Sequence, residues 1–236
     1  DADRREVLAA MPAKGVSLIV DPGCDGESSR AACALAQEFP FVYAAVGWHP
    51  EEWQSWNGES IALLRSLCAQ PKVVAIGEIG LDYYWDTEQK EMFERQLSLA
   101  IERKLPVIVH DREAHGDCLE IVMNYPEARG VFHCFSGSAE MAKELIRRGW
   151  YLGFDGPVTY KSNKKAAEVL AVTPLERILV ETDSPYMAPE PCRGKRNDSS
   201  LLVYVLEKIA AVKGVKAEEM TCITRENGCR LFGIEA

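Results

Sequence analysis

The sequence predicts an α/β fold of the TIM type, a (β/α)8 barrel whose first strand is missing from this chain, and three observations carry the prediction. Short β-rich apolar runs alternate with amphipathic stretches from one end to the other, the pattern of repeated βα units around a parallel sheet. The length, 236 residues, suits one barrel with a continuous core. Polar or ionisable residues stand at the C-terminal edge of one predicted strand after another, which is where a barrel gathers an active site.

Taken in order, residues 1–11 read as a helix-like segment feeding a first strand over 16–21, with no strand before it. A helix over 27–38 leads to a strand over 42–49, and a helix over 59–69 to a strand over 73–79. In the next helix, 87–104, Met92, Phe93, Leu97, Ala100 and Ile101 recur at helical spacing behind a capping pair, Asp86 and Gln89, and Pro106 closes it. Strands over 107–110, 130–135, 151–154 and 178–181 follow, separated by helices over 114–124, 138–148 and 162–171, and helices over 199–212 and 217–231 end the chain. That is seven strands where a closed barrel has eight, and a sheet beginning at a helix would leave an edge exposed, so the chain reads as lacking a natural N-terminal strand. No linker, low-complexity tract or repeat divides it, which predicts a single domain over 1–236.

Composition excludes several classes of function. A net charge of −9 argues against broad electrostatic binding of nucleic acid, so any polyanion must be held locally, by a metal or a few basic side chains. No run approaches the roughly 18 uninterrupted apolar residues of a membrane span, and Asp1 to Glu6 is charged, which predicts a cytoplasmic protein without membrane contact. Eight cysteines are scattered without a Cys-x-x-Cys pair, so neither a zinc knuckle nor a disulfide framework is expected.

The strand-end residues are Asp21, His49, Glu78, His110, His133 and Asp183. A single histidine after a strand is ordinarily a hydrogen-bonded core or loop residue, but imidazoles and carboxylates together at successive strand ends form a donor set for zinc or manganese. Glu78, His110, His133 and Asp183 are therefore the candidate metal ligands, because a buried cluster of this kind needs a cation to be tolerable. Such a metal lowers the pKa of bound water and polarises a phosphoryl or carbonyl oxygen, with Asp183 placed to accept the proton. The alternative for Asp183 is a cap of the turn Thr182–Asp183–Ser184–Pro185.

Arg193, Lys195 and Arg196 follow soon after Asp183 and are candidates for neutralising phosphates, against a solvated basic loop. Arg112 and His115 are either phosphate contacts or a helix cap. Tyr83, Tyr84 and Trp85 offer base stacking or packing on neighbouring loops.

Four segments, Gly77-Glu-Ile-Gly-Leu-Asp-Tyr-Tyr84, His110-Asp-Arg-Glu-Ala-His115, His133-Cys-Phe-Ser-Gly137 and Glu181-Thr-Asp-Ser-Pro-Tyr186, closely resemble the TatD family of metal-dependent deoxyribonucleases, and Gly47-Trp-His-Pro50 and Arg193-Gly-Lys-Arg-Asn197 look like further family segments in order. The likeness covers essentially the whole chain. It implies an amidohydrolase-type barrel that binds two divalent metal ions (zinc, manganese or magnesium) and hydrolyses phosphodiesters in DNA, often from an end. By that likeness Glu78 matches the bridging carboxylate, His110 and His133 the ligands of one metal, Asp183 the ligand and base at the other, and His49 a residue facing the mouth. Glu78 and Asp183 are then the catalytic residues, and His49, Arg112, His115, Arg193, Lys195 and Arg196 the substrate-binding ones. The family carries a His-x-His motif on its first strand; this sequence has none, which leaves the second metal site incomplete in this chain. Two other readings stand beside the nuclease: a metal-dependent hydrolase of a small ester, amide or phosphoester, and a non-catalytic metal-binding protein.

Overall fold

The computed structural model describes residues 2–235. In chain order its elements are α1 (Arg4–Ala10), β1 (Ile19–Pro22), α2 (Gly26–Glu38), β2 (Val42–Val46), α3 (Ser60–Leu67), β3 (Val73–Asp82), α4 (Lys90–Arg103) and β4 (Val107–Arg112). There follow α5 (His115–Asn124), β5 (Gly130–Phe132), α6 (Ala139–Arg147), β6 (Tyr151–Phe154), α7 (Lys164–Val172), β7 (Ile178–Val180), α8 (Leu202–Lys213) and α9 (Ala217–Phe232). Strand and helix alternate as the sequence predicted, with seven strands among the described residues, and the fold class is α/β of the TIM type. None of the described helices is long and apolar enough to cross a membrane.

The described residues group into two compact units. The first comprises Leu18–His133 with Leu231–Glu235. Its five strands pair in sequence order, all parallel. Such strands are covered on both faces, hence the near-continuous apolar runs: Ala44, Ala45, Val46, Ile76, Ile79, Leu81, Val107 and Val109 are wholly buried, as are Leu64, Phe93 and Leu97 on the helices. Asp25 begins α2 with a capping box, its carboxylate accepting from Ser28 N at 2.7 Å while Ser28 Oγ accepts from Asp25 N at 2.9 Å. The β3–β4 register shifts between Ile76 and Ile79, so Glu78 lies in an irregular stretch that frees its side chain from strict alternation. Pairing then resumes at Gly80↔His110 and continues to Asp82↔Arg112. Gly80 has φ +146°, and a Cβ there would sit 2.0 Å from the His110 carbonyl oxygen, so only glycine permits this approach.

The second unit comprises residues 2–17 and Cys134–Arg230. Here β6 and β7 pair in parallel from Leu152↔Ile178 to Phe154↔Val180. Its core holds Leu145, Trp150, Leu152, Val205, Ile209 and Met220. Ser138 caps α6 and Asn163 caps α7, while Lys213 Nζ donates to the carbonyls of Leu170 and Thr173 at the other end of α7.

Several predicted boundaries are corrected. The first strand begins at Ile19 rather than 16, because Val16 N still bonds to Met11 O and Gly15, at φ +85°, closes the turn after α1. The second ends at Val46 rather than 49, since His49 N bonds to Cys24 O and Pro50 opens a short 3-10 turn. The fifth and seventh end at Phe132 and Val180, and β3 runs on to Asp82. Asp86 and Gln89 do not form the predicted capping pair: Asp86 accepts from Thr87 N and Glu88 N in the turn, and Gln89 is buried, accepting from Asp82 N at 2.7 Å and donating to Pro50 O. The helix therefore starts at Lys90.

Candidate metal centre

Four of the predicted residues meet in the first unit: His49 past the end of β2, Glu78 within β3, His110 within β4, and His133 just past the end of β5. One oxygen of Glu78, Oε1, lies 2.6 Å from His133 Nε2, 2.8 Å from His110 Nδ1 and 3.4 Å from His49 Nε2. All four side chains are largely buried, between 9% and 16% exposed. The rings of His49 and His110 meet edge to face at 4.4 Å.

Behind His110 stands a residue the sequence reading missed. Asp82, wholly buried, accepts from His110 Nε2 through Oδ2 at 3.0 Å and from Tyr84 N through Oδ1 at 3.1 Å, and Arg112 Nη1 lies 3.9 Å from Oδ2. A carboxylate behind a histidine fixes the ring and raises its basicity, the arrangement that metal-binding histidines commonly have. The only sequence signal was its place in Gly80-Leu-Asp-Tyr83, three residues past the end predicted for that strand.

Charges here are mutually satisfying. Burial pushes the Glu78 carboxyl up, but the charge of His133 and hydrogen bonds from His110, His133 and His49 outweigh it and hold the group well below its usual range. Burial pulls His110 down, and the hydrogen bonds to Asp82 and Glu78 more than compensate, leaving it raised.

The donor set also fits a metal. His110 Nδ1 and His133 Nε2 face each other at 3.2 Å with the same Glu78 oxygen beside both, so their lone pairs repel unless a proton or a cation lies between them. Two imidazole nitrogens and a carboxylate oxygen are good ligands for zinc or manganese. His49 differs: its Nδ1 accepts from Glu51 N at 3.1 Å, which assigns the proton to Nε2 and makes that nitrogen a donor toward Glu78. The donor atoms of His49, Glu78 and His110 also lie within 4.8 Å of one another, but the triangle of Glu78, His110 and His133 is tighter and is free of that donor assignment.

The remaining predicted residues divide. In the first unit, His115 Nδ1 is 2.9 Å from Asp111 Oδ2, and the Arg112 guanidinium lies over the Tyr84 ring at 4.0 Å. In the second unit, Asp183 groups with Cys134 and Asp155, their donor atoms within 4.8 Å of one another, and Glu181 accepts from Cys134 N. The Cys134 thiol is held well above its usual range by burial and by the charges of Asp155, Asp183 and Glu181. Arg193, Lys195 and Arg196 are exposed; Arg193 stacks on Tyr160 at 4.4 Å, and Arg196 forms a forked pair with Asp3 at 2.5 and 3.0 Å. Sequence reasoning assigned nothing to Cys134, Asp155 or Glu181, although Cys134 and Glu181 lie inside quoted segments.

Comparison with known proteins adds an independent line. A family model described as TatD related DNase matches residues 1–233. An uncharacterized metal-dependent hydrolase of Bacillus subtilis, YabD, is 44% identical over 240 residues, 99% of this chain and 94% of that protein. A 3'-5' ssDNA/RNA exonuclease TatD of Cronobacter sakazakii is 37% identical over 244 residues, 98% of this chain and 92% of its own length. Among solved structures, a TatD homologue of Escherichia coli superposes with a TM-score of 0.93 at 30% identity, covering 99% of this chain and 93% of that one.

Proposed function

The chain belongs to the family of TatD-related DNases, and on that premise we propose that it is a metal-dependent phosphodiesterase that removes nucleotides from an end of single-stranded DNA. The observation that carries the reading is the convergence of His110, His133 and His49 on one oxygen of Glu78, with Asp82 behind His110. Relatives named as metal-dependent hydrolases and as an exonuclease support it. The family model running over residues 1–233 supports reading the whole chain as one hydrolase domain.

In this reading Glu78, His110 and His133 hold a divalent metal, zinc or manganese by their donor types, and the family likeness argues for two ions in all. When bound, the metal activates a water and polarises the phosphoryl oxygen. The chain's own groups do the rest. Asp82 fixes the ring of His110, and His49 donates to Glu78 and steadies its carboxylate. Asp183 is the further carboxylate ligand and the acceptor of the nucleophile's proton. Arg112, His115, Arg193 and Lys195 contribute positive charge toward phosphates, a local answer to a net charge of −9.

The test is cleavage of end-labelled single- and double-stranded DNA with added manganese or magnesium, alongside Glu78→Ala and Asp183→Ala. Metal-dependent shortening of the single strand, lost in both variants, is expected. Hydrolysis of a small phosphodiester with no action on DNA would move the assignment to a small ester or phosphoester.

A further inference from the structure

Two aromatic side chains of the first unit stand in the open, Tyr84 at 54% and Trp85 at 61% exposure. Single exposed aromatics need no explanation, but these two are held in place. Trp85 Nε1 donates to Glu51 Oε1 at 2.6 Å, and its indole meets the Tyr84 ring edge to face, centroids 4.9 Å apart and planes at 89°. Tyr84 in turn carries the Arg112 guanidinium over its ring and donates its backbone N–H to Asp82 Oδ1. Asp82 uses its other oxygen for His110. One wholly buried carboxylate thus ties the aromatic step to a ligand of the candidate metal centre.

Folding has little use for this arrangement. An indole that stays mostly exposed yields little from burial, while its two contacts still cost it side-chain freedom. A fixed, open π-surface is what an unpaired base needs for stacking, and stacking of this kind is indifferent to base identity. Arg112, whose guanidinium carbon lies 4.0 Å from the Tyr84 ring centroid and whose Nη1 lies 3.9 Å from Asp82 Oδ2, keeps its side chain 46% exposed, with further N–H groups for a phosphate.

We propose that Trp85, braced by Tyr84 and Glu51, is the stacking platform for one base of a single-stranded nucleic acid, and that Arg112 holds the phosphate beside it. This rests on the nuclease reading and deepens it by naming what in the substrate is recognised. A base inside a duplex has both faces covered by its neighbours, so the platform selects single strands.

The test uses metal-loaded protein and a set of single-stranded oligonucleotides in which one nucleotide at a time is replaced by an abasic linker. Trp85→Ala should lower kcat/KM on the intact oligonucleotide by about tenfold, mainly through KM, and Trp85→Phe should recover most of the loss. In the wild type one abasic position should cost a similar factor, and in Trp85→Ala that position should cost nothing further. Additive losses, or an unchanged KM in Trp85→Ala, would overturn the platform while leaving the nuclease reading intact. Wild-type protein that cleaves no DNA at all would sink the nuclease reading instead. The platform is then decided by fluorescence anisotropy of a labelled single strand: binding weakened about tenfold in Trp85→Ala supports it, and equal or undetectable binding of the two proteins overturns it.

Discussion

The histidine cluster of the first unit and the acidic cluster of the second are built from opposite electrostatics. Around Glu78, three imidazoles share one carboxylate, and protons can balance the charge without any other partner. Around Cys134, the charges of Asp155, Asp183 and Glu181 add to burial in resisting ionisation of the thiol. A cation entering the first competes with protons already in place, whereas a cation at the second would counter the charges that raise the Cys134 thiol. Metal affinity should therefore depend on pH most steeply where the histidines are, and the loss of one group should be felt most at the carboxylate all three imidazoles share.

Glu78→Gln tests that ranking most severely. It keeps the shape and removes the shared charge, so metal-dependent hydrolysis should fall by about a thousandfold, the several kcal/mol that a Lewis acid contributes, and bound metal measured by mass spectrometry should be lost. Retained metal and rate in Glu78→Gln, with both lost in Asp183→Asn, would reverse the ranking. Asp82→Asn should have the next largest effect. It leaves every ligand present but weakens the acceptor behind His110, and metal affinity by calorimetric titration should drop by about 10- to 100-fold.

The metal-free protein should also show a pH-dependent stability set by the histidine cluster. Glu78 is held well below its ordinary value of 4.5, so its contribution to stability is complete above that value and is lost as pH falls through the depressed one. His110 is raised above its ordinary 6.5, so its contribution is complete below 6.5 and is lost as pH rises through the raised value. Thermal melts should therefore show greatest stability between those two ordinary values, falling on either side, and Glu78→Gln should flatten both limbs. The smallest effect is expected at Arg196→Ala. Its guanidinium is already taken by Asp3, so KM for an oligonucleotide and its dependence on salt should stay at wild-type values.

Much of this was legible in the sequence, and the gaps have physical reasons. Parallel strands buried on both faces write themselves as short apolar runs, so β2, β4 and β6 start where the pattern says. Polar residues toward the ends of such runs are legible for the same reason, and Glu78, His110 and His133, the proposed ligands, were singled out that way. Strand ends were less legible because hydrogen bonds from afar decide them, as Cys24 O does for His49. Gln89, expected as half of a capping pair, is buried and bonded to Asp82 and Pro50, and Gln96, to which the sequence drew no attention, is buried and bonded to the backbone of Trp48. Asp82 fell outside the predicted strand over 73–79; its role depends on Gly80 letting β3 run on beside β4, a cross-strand relation that no local pattern encodes.

Anomalous diffraction from crystals of the protein loaded with zinc or manganese would locate the metal directly. A peak bonded to Glu78, His110 and His133, absent from crystals of Glu78→Gln, is the expected result. A peak at full occupancy elsewhere, with those three side chains still bonded only to one another, would contradict it.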